Sequence, residues 1–510
     1  MVPHDQGTLL VGECSGLTTA ATESASPVGR GWNLDNSYTR LPPVLFSRAR
    51  PMTFPQPRVA LLNARLANSL GLDFDGLTEQ DLANVLSGRQ LPPEADPIAQ
   101  AYAGHQFGGF SLLGDGRAIL LGEQVTPTGT RYDLQWKGSG PTTYSRRGDG
   151  RAALGPMLRE YIISEAMHAL GVPTTRSLAV LTTGDVVFRE SPLPGAVLIR
   201  VAASHVRVGT FQLLLARQDH ETLKALADYT IARHDPDLVG HETRYLEFLR
   251  RVIARQARLI AQWQHLGFVH GVMNTDNMAL SGETIDYGPC AFLDRFDPAT
   301  VFSSIDHGGR YAYGNQPSIG LWNLTRFAET LLPLLDPVQD RAIELATDAL
   351  KQYAPQFEQA LLSGFRRKLG LQTERPDDAS LLQELLDAMQ GAQTDFTNTF
   401  CGLADPERWD PAWGLHPGMQ AWQSRWLTRL EQEGSTRDQA RSRLRQANPQ
   451  IIPRNERVEE ALQSAVSRGD LGPLQKLLAA LDQPYTASDR QAPYRDPAPP
   501  GSCYRTFCGT

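Results

Sequence analysis

The chain has 510 residues, 41% hydrophobic and 21% charged, with a net charge of −7 and a pI near 5.9. At roughly 100–200 residues per domain this length allows two or three domains or one large enzyme, and the composition excludes a disordered tail or a coiled coil. The acidic balance argues against broad nucleic-acid binding, which needs a basic face.

No apolar run reaches the roughly 18 residues of a membrane span, and the N-terminus lacks the basic and apolar regions of a secretory signal. Neither membrane nor nucleic acid is therefore an expected partner. The five cysteines (Cys14, Cys290, Cys401, Cys503 and Cys508) are scattered without metal-ligand spacing. That pattern predicts a reducing, cytoplasmic compartment rather than a disulfide framework. Of the 49 basic residues only five are lysines, Lys137, Lys224, Lys351, Lys368 and Lys476. Lys137 stands out, because it sits in a strand-like, Gly-flanked segment while the other four lie in ordinary helical surroundings.

In chain order, residues 1–32 read as a loose extension, rich in Ser, Thr, Ala and Gly. Residues 33–207 form an extension followed by a sheet-rich lobe, opening with Pro-punctuated loops and a short helix over Arg58–Leu70. The run from Ala103 to Leu121 and the alternating stretch Tyr132–Lys137 predict an antiparallel sheet with a hairpin turn at Asp115-Gly116. A helix is predicted over Pro156–Leu170, with Pro in its first turn and Gly171 after its end. Strands follow at Ser177–Leu181, Val186–Arg189 and Ala196–Ala202. Residues 208–482 are mostly helical, with a long amphipathic helix over Tyr245–His265 and five or six more between 318 and 482. Residues 483–510 are a Pro-rich tail expected to lie along the surface. The order, sheet-rich then helical, is α+β.

The chemistry concentrates just after the long helix. His270-Gly271-Val272-Met273-Asn274-Thr275-Asp276-Asn277-Met278 is followed nine residues beyond Asn277 by Asp286-Tyr287-Gly288. Asn277 and Asp286 supply hard oxygen ligands suited to Mg²⁺ or Mn²⁺ bridging nucleotide phosphates; an Asn/Asp-rich turn capped by its own side chains is the bland alternative. A glycine-rich hairpin, a strand lysine (Lys137), a helix glutamate (Glu160), a His-containing loop with Asn277 and an Asp-x-Gly occur in the order of protein-kinase parts. The kinase base position, two residues after the His, is here Val272. Asp276 is the spare carboxylate in that loop.

Gln135-Trp136-Lys137-Gly138-Ser139-Gly140-Pro141-Thr142, Tyr144-Ser145-Arg146-Arg147-Gly148-Asp149-Gly150-Arg151, the His270–Met278 loop, Asn448-Pro449-Gln450 and the ending Tyr504–Thr510 resemble the selenoprotein O family across about residues 33–510. The resemblance implies a kinase-like two-lobe fold and transfer of AMP (or UMP, from UTP) from ATP to a protein Ser, Thr or Tyr hydroxyl, with pyrophosphate released. It also implies a nucleotide flipped relative to kinases, so that the α-phosphate faces the acceptor. On this reading Gly114, Gly116 and Arg117 form the hairpin tip over phosphate, and Lys137 binds phosphate while paired to Glu160. Asp149 and Gly150 meet the flipped nucleotide, and Arg200 and Arg207 neutralise phosphate. Asn277 and Asp286 hold the metal, Asp276 is the base, and His270 braces the loop. In some members a disulfide ties the C-terminal tail to the segment after Asp-x-Gly. Here that segment offers Ser303 and Ser304, so a redox partner for Cys508 is Cys290, Cys503 or none. An ordinary phosphotransferase and a non-catalytic pseudokinase scaffold are the competing functions.

Overall fold

The computed structural model describes residues 27–409, 411–499 and 504–506. Its centre is an eight-stranded sheet in which every neighbouring pair runs antiparallel. The spatial order is Phe46–Arg48, Ile98–Gln100, Ala118–Val125, Arg131–Lys137, Pro192–Ala202, Arg176–Phe188 and Arg58–Leu62, with Ala152–Ala153 pairing the Pro192–Ala202 strand off this path.

Period-two alternation sorts the side chains of the two central strands. Leu134, Trp136, Val197, Ile199 and Val201 face one way and pack with Leu34, Phe54, Leu66 and Leu86 of the preceding segment. Leu198 turns the other way, into the core shared with the helices, and Gln135, Lys137 and Arg200 share its face by alternation. Lys137 lies opposite Leu198, and Gln135 lies opposite Arg200. Both cations therefore emerge from the sheet on the side of the helix Leu154–Ala169, which carries Glu160.

The helical half is organised by Arg244–Leu266. Its apolar stripe, including Phe248, Leu249, Val252, Ile253, Leu259 and Ile260, is buried, and it ends at Gly267 in the left-handed conformation (φ 69°), where glycine carries no steric penalty. Its core is continuous with that under the sheet. The expected α+β order, a sheet-rich N-terminal part followed by a helical C-terminal part, is thus the one the chain adopts.

Five expectations are corrected. Arg58–Leu70 is a strand, Arg58–Leu62, and then a helix, Ala64–Ser69; its β-branched and leucine-rich start pairs with the sheet, which overrides local propensity. Asp115-Gly116 is not a hairpin turn. Ala103–Gln106 and Gly109–Leu112 form their own two-stranded hairpin, and Asp115 lies on the connection into the main sheet with its carboxylate accepting from Gln100 N and Gln135 Nε2. Residues 176–188 form one strand rather than two. Between Gln316 and Leu481 the described residues form ten α-helices rather than five or six, because breaks such as Lys351-Gln352 carry no Pro or Gly to announce them. The tail is also more than a surface strap: Gln491 and Thr506 are buried. Residues 1–26 of the loose extension lie outside the described residues.

A second core, under the C-terminal helices, depends on two stacked tryptophans. Trp422 and Trp426 are 5.8 Å apart, both buried, and their indole N–H groups donate to Leu381 O and Leu369 O. Trp426→Ala is expected to cost about 3–5 kcal/mol of unfolding free energy, read from urea denaturation. A loss below about 1 kcal/mol would show that this core is not close-packed.

Candidate active site

Between sheet and helical lobe lies a cleft of about 340 Å³. Gly114, Gly116, Arg117, Lys137, Asp149, Gly150, Arg200, Arg207, Asp276, Asn277 and Asp286 all line it. The fold thus gathers residues spread over more than 170 positions. Glu160 stands directly behind Lys137. A larger cavity, about 440 Å³, lies elsewhere among Leu170, His265, Lys368 and Arg443, and none of its lining residues is a carboxylate.

At the floor of the cleft four charges meet. Lys137 Nζ is 2.7 Å from Glu160 Oε2 and also contacts Asp286 Oδ1. Arg200 Nη2 is 2.5 Å from Glu160 Oε1 and 3.1 Å from Asp286 Oδ1. Two cations and two carboxylates thus compensate one another, which is what keeps Glu160, Lys137 and Arg200 buried without a prohibitive desolvation cost. Burial would raise the Glu160 carboxyl, but the Arg200 and Lys137 charges outweigh it and hold it below the usual carboxylate range. The same contest holds Asp286 well below that range: burial opposes, Lys137 and then Arg200 prevail. Asp286 also takes a left-handed backbone (φ 67°), uncommon outside glycine, and so turns its carboxylate toward both cations.

The His270–Met278 loop is pinned from several sides. His270 is buried, its Nε2 is 2.9 Å from Ile285 O and its backbone N–H donates to Gln316 Oε1. It therefore ties the loop to the segment that delivers Asp286. Asn277 spends its amide N–H on Val272 O, 3.1 Å away, so the amide oxygen is the atom it can offer as a ligand. Asp276 is buried, and its Oδ1 has no hydrogen-bond partner among the described residues. Burial raises its carboxyl to about 6. Arg207 lies 4.4 Å over the Tyr102 ring and donates to Asp276 O, leaving Nη2 unpartnered among the described residues.

Sequence reasoning passed over several lining residues. Arg189 grips Asp149 through two bonds of 3.0 and 3.1 Å, so the Asp149 carboxylate fixes an arginine at the rim. Tyr102, Gln135, Ser145 and Arg151 also line the cleft. No spacing rule finds them; only the alternation of Gln135 with Lys137 was available as a signal. Gly104 was the other unread signal. A Cβ there would overlap the Asp276 carboxylate, so only glycine lets the Ala103–Gln106 strand lie against the His270–Met278 loop. Gly150 (φ +68°) is equally constrained, since a Cβ would run into the Gly140 backbone.

Of the redox candidates, Cys503 and Cys508 lie outside the described residues. Cys290 is buried, and burial pushes its thiol up to about 12, which disfavours the reactive thiolate. The tail nevertheless reaches this neighbourhood: Thr506 exchanges backbone bonds with Phe302 and Ser304, and its hydroxyl donates to Pro289 O at 2.7 Å. Among the described residues no helix is long and apolar enough to cross a membrane.

Residues 32–482 match the family model described as Protein adenylyltransferase SelO. The chain is 57% identical over 493 residues to the protein nucleotidyltransferase YdiU of Halalkalibacterium halodurans, covering 96% of this chain and all of that one. It is 57% identical over 481 residues to the Geobacillus kaustophilus protein of the same name, covering 94% and 99%. Among solved structures it is similar to ROP2 from Toxoplasma gondii, described as a virulence factor with a protein-kinase fold and no enzymatic activity. That likeness covers 66% of this chain and 82% of the other, at 9% identity and a TM-score of 0.24.

The four-charge floor makes a prediction about stability. Glu160→Gln keeps the shape but leaves Lys137 and Arg200 sharing one carboxylate. It should destabilise the fold by about 3–5 kcal/mol, the scale of a broken buried ion pair, measured by denaturant unfolding at neutral pH. An unchanged midpoint would mean that Asp286 alone suffices.

Proposed function

The chain belongs to the SelO protein adenylyltransferase family and is a nucleotidyltransferase, and on that premise we propose that it transfers AMP from ATP to hydroxyl groups of proteins, releasing pyrophosphate. The observation that carries this reading is the loop itself. Val272 occupies the place of a kinase base and accepts no proton, whereas Asp276, four residues on, is a carboxylate lining the same cleft as Lys137, Arg200 and Arg207, its buried Oδ1 without a hydrogen-bond partner among the described residues.

Asn277 and Asp286 would hold a divalent cation, Mg²⁺ or Mn²⁺. The donor set fits: a free amide oxygen and a carboxylate line one cleft. Mg²⁺ favours such sparse sites, one or two protein oxygens completed by phosphate and water. Bound there, the ion would supply positive charge to the phosphates.

The remaining work falls to side chains. Lys137 and Arg200, both now engaged with Asp286, would share their charge with phosphate oxygens when nucleotide enters, and Arg207 would offer its open Nη2. Gly114 and Gly116 let backbone approach phosphate closely. The acceptor hydroxyl would pass its proton to Asp276 as its oxygen bonds the α-phosphorus and the bond to the pyrophosphate oxygen breaks. Carboxylates in water are poor bases; burial that lifts Asp276 to about 6 makes it a better one while leaving it largely ionised near neutrality.

Two measurements test this. With ATP labelled at either the α- or the γ-phosphate, label should enter protein from the α-position alone; γ-label in protein would mean phosphotransfer, and neither would mean a scaffold. In the same assay Asp286→Ala should abolish transfer. Asp276→Asn should slow transfer about 10²–10⁴-fold while ATP binding, read by calorimetry, persists. Wild-type rates in Asp276→Asn would remove it as the base.

A further inference from the structure

Beside Asp276 stands the hairpin Ala103–Gln106/Gly109–Leu112, and its outer side is unlike an ordinary surface. It forms a sheet of only two strands. His105 N donates to Thr275 Oγ1 and Phe107 N to Asn274 Oδ1, at 2.7 and 3.1 Å; Gln212 links the Thr275 hydroxyl to His105 Nδ1. The inner strand is thus bolted to the catalytic loop, with Gly104 against Asp276 itself.

The outer strand pairs with no further strand; Arg146 donates to Leu112 O at one end of its edge, and the rest is open. Because His105 points its N–H away from the pair, His105↔Phe110 is a non-hydrogen-bonded pair, and Phe110 turns its own N–H and C=O to the open edge. Phe110 and Leu112 are 46% and 54% exposed on this edge. At the turn, Phe107 holds a left-handed backbone (φ 50°), a cost of about 1–3 kcal/mol for a bulky residue that persists mostly where function requires it. Against the turn lies Arg310, stacked on Trp322 at 4.8 Å, its Nε buried without a partner and with no carboxylate paired to it among the described residues. Natural proteins rarely leave an apolar edge strand open without a use for it.

We propose that this edge binds an extended stretch of the acceptor protein. The stretch pairs its backbone with Phe110, lays apolar side chains over Phe110 and Leu112, and sets an acidic side chain on Arg310, holding the acceptor at the hairpin that packs on the loop carrying Asp276. The proposal rests on the AMP-transfer reading and adds the chemistry of the acceptor: extended, apolar and acidic on the Arg310 side. Edge-strand addition gives affinity through main-chain bonds and selectivity through alternate side chains.

The test uses the full chain, α-labelled ATP and two synthetic hydroxyl-bearing peptides, alike except that one carries Asp and the other Lys at the flanking position. Wild type should favour the Asp peptide by about fivefold in kcat/KM, the scale of an exposed ion pair. Arg310→Glu should reverse that preference with the KM for ATP unchanged, and Arg310→Gln should abolish it. Phe110→Pro, which removes the edge N–H, should raise the KM of both peptides about tenfold; Leu112→Ser should raise it without touching the backbone, should the proline variant not fold. Retention of the Asp preference in Arg310→Glu, or unaltered peptide KM in both edge variants, overturns the docking edge while AMP transfer stands. Absence of α-label in any peptide or protein with wild type overturns the transfer reading, and the edge with it.

Discussion

Lys137 and Arg200 need Glu160 and Asp286, and those four residues come from four separate elements. Two are sheet strands, one is the helix packed on the sheet, and one is the segment after the catalytic loop. A buried charge cannot be left alone, so the cluster fixes how these elements sit relative to one another. The continuous apolar core beneath supplies most of the driving force for docking sheet on helix. The paired charges add to the register that the apolar alternation sets, because a slip would leave a buried charge unpaired.

The same cluster sets the chemistry of the cleft. It places two cations beside the one part-exposed carboxylate, Asp286, so phosphate entering the cleft meets positive charge already held in place. Electrostatic stabilisation of this kind works because the donors need not reorganise as charge develops. Asp276 sits outside the cluster and has the opposite environment. Its carboxyl rises with burial while that of Asp286 falls beside Lys137 and Arg200, and neighbouring acids driven apart in this way divide into distinct roles.

The His270–Met278 loop is steadied from outside that cluster as well. The Ala103–Gln106 strand, Gln212 and Tyr311 all bond residues of that loop, and Gly104 and Gly209 leave room for Asp276 between them. A loop held on both sides pre-positions its carboxylate, which on the proposed reading matters because small misplacements of a reacting group are costly in rate. The hairpin that does this on its inner strand leaves its outer strand without a further strand partner, so on the proposed reading one short element would both position Asp276 and dock the acceptor.

The sequence alone determined the α+β order, the long amphipathic helix and its glycine stop, the candidate lysine, glutamate, asparagine and aspartates, and the family. Those features are written locally, in periodicity, in turn residues and in motifs whose spacing is itself the signal. It did not reveal the strand at Arg58–Leu62, the ten helices after Gln316, or the true place of Asp115-Gly116, because sheet partners and unpunctuated helix breaks are decided by distant contacts. Nor did it reveal that Asp149 is tied to Arg189, that Gln135 and Tyr102 line the cleft, or that Gly104 backs onto Asp276. Such facts depend on which face of a strand turns inward and which backbones approach each other. Only the tertiary structure decides that, since burial, charge compensation and free strand edges belong to pairs of segments and not to either segment alone.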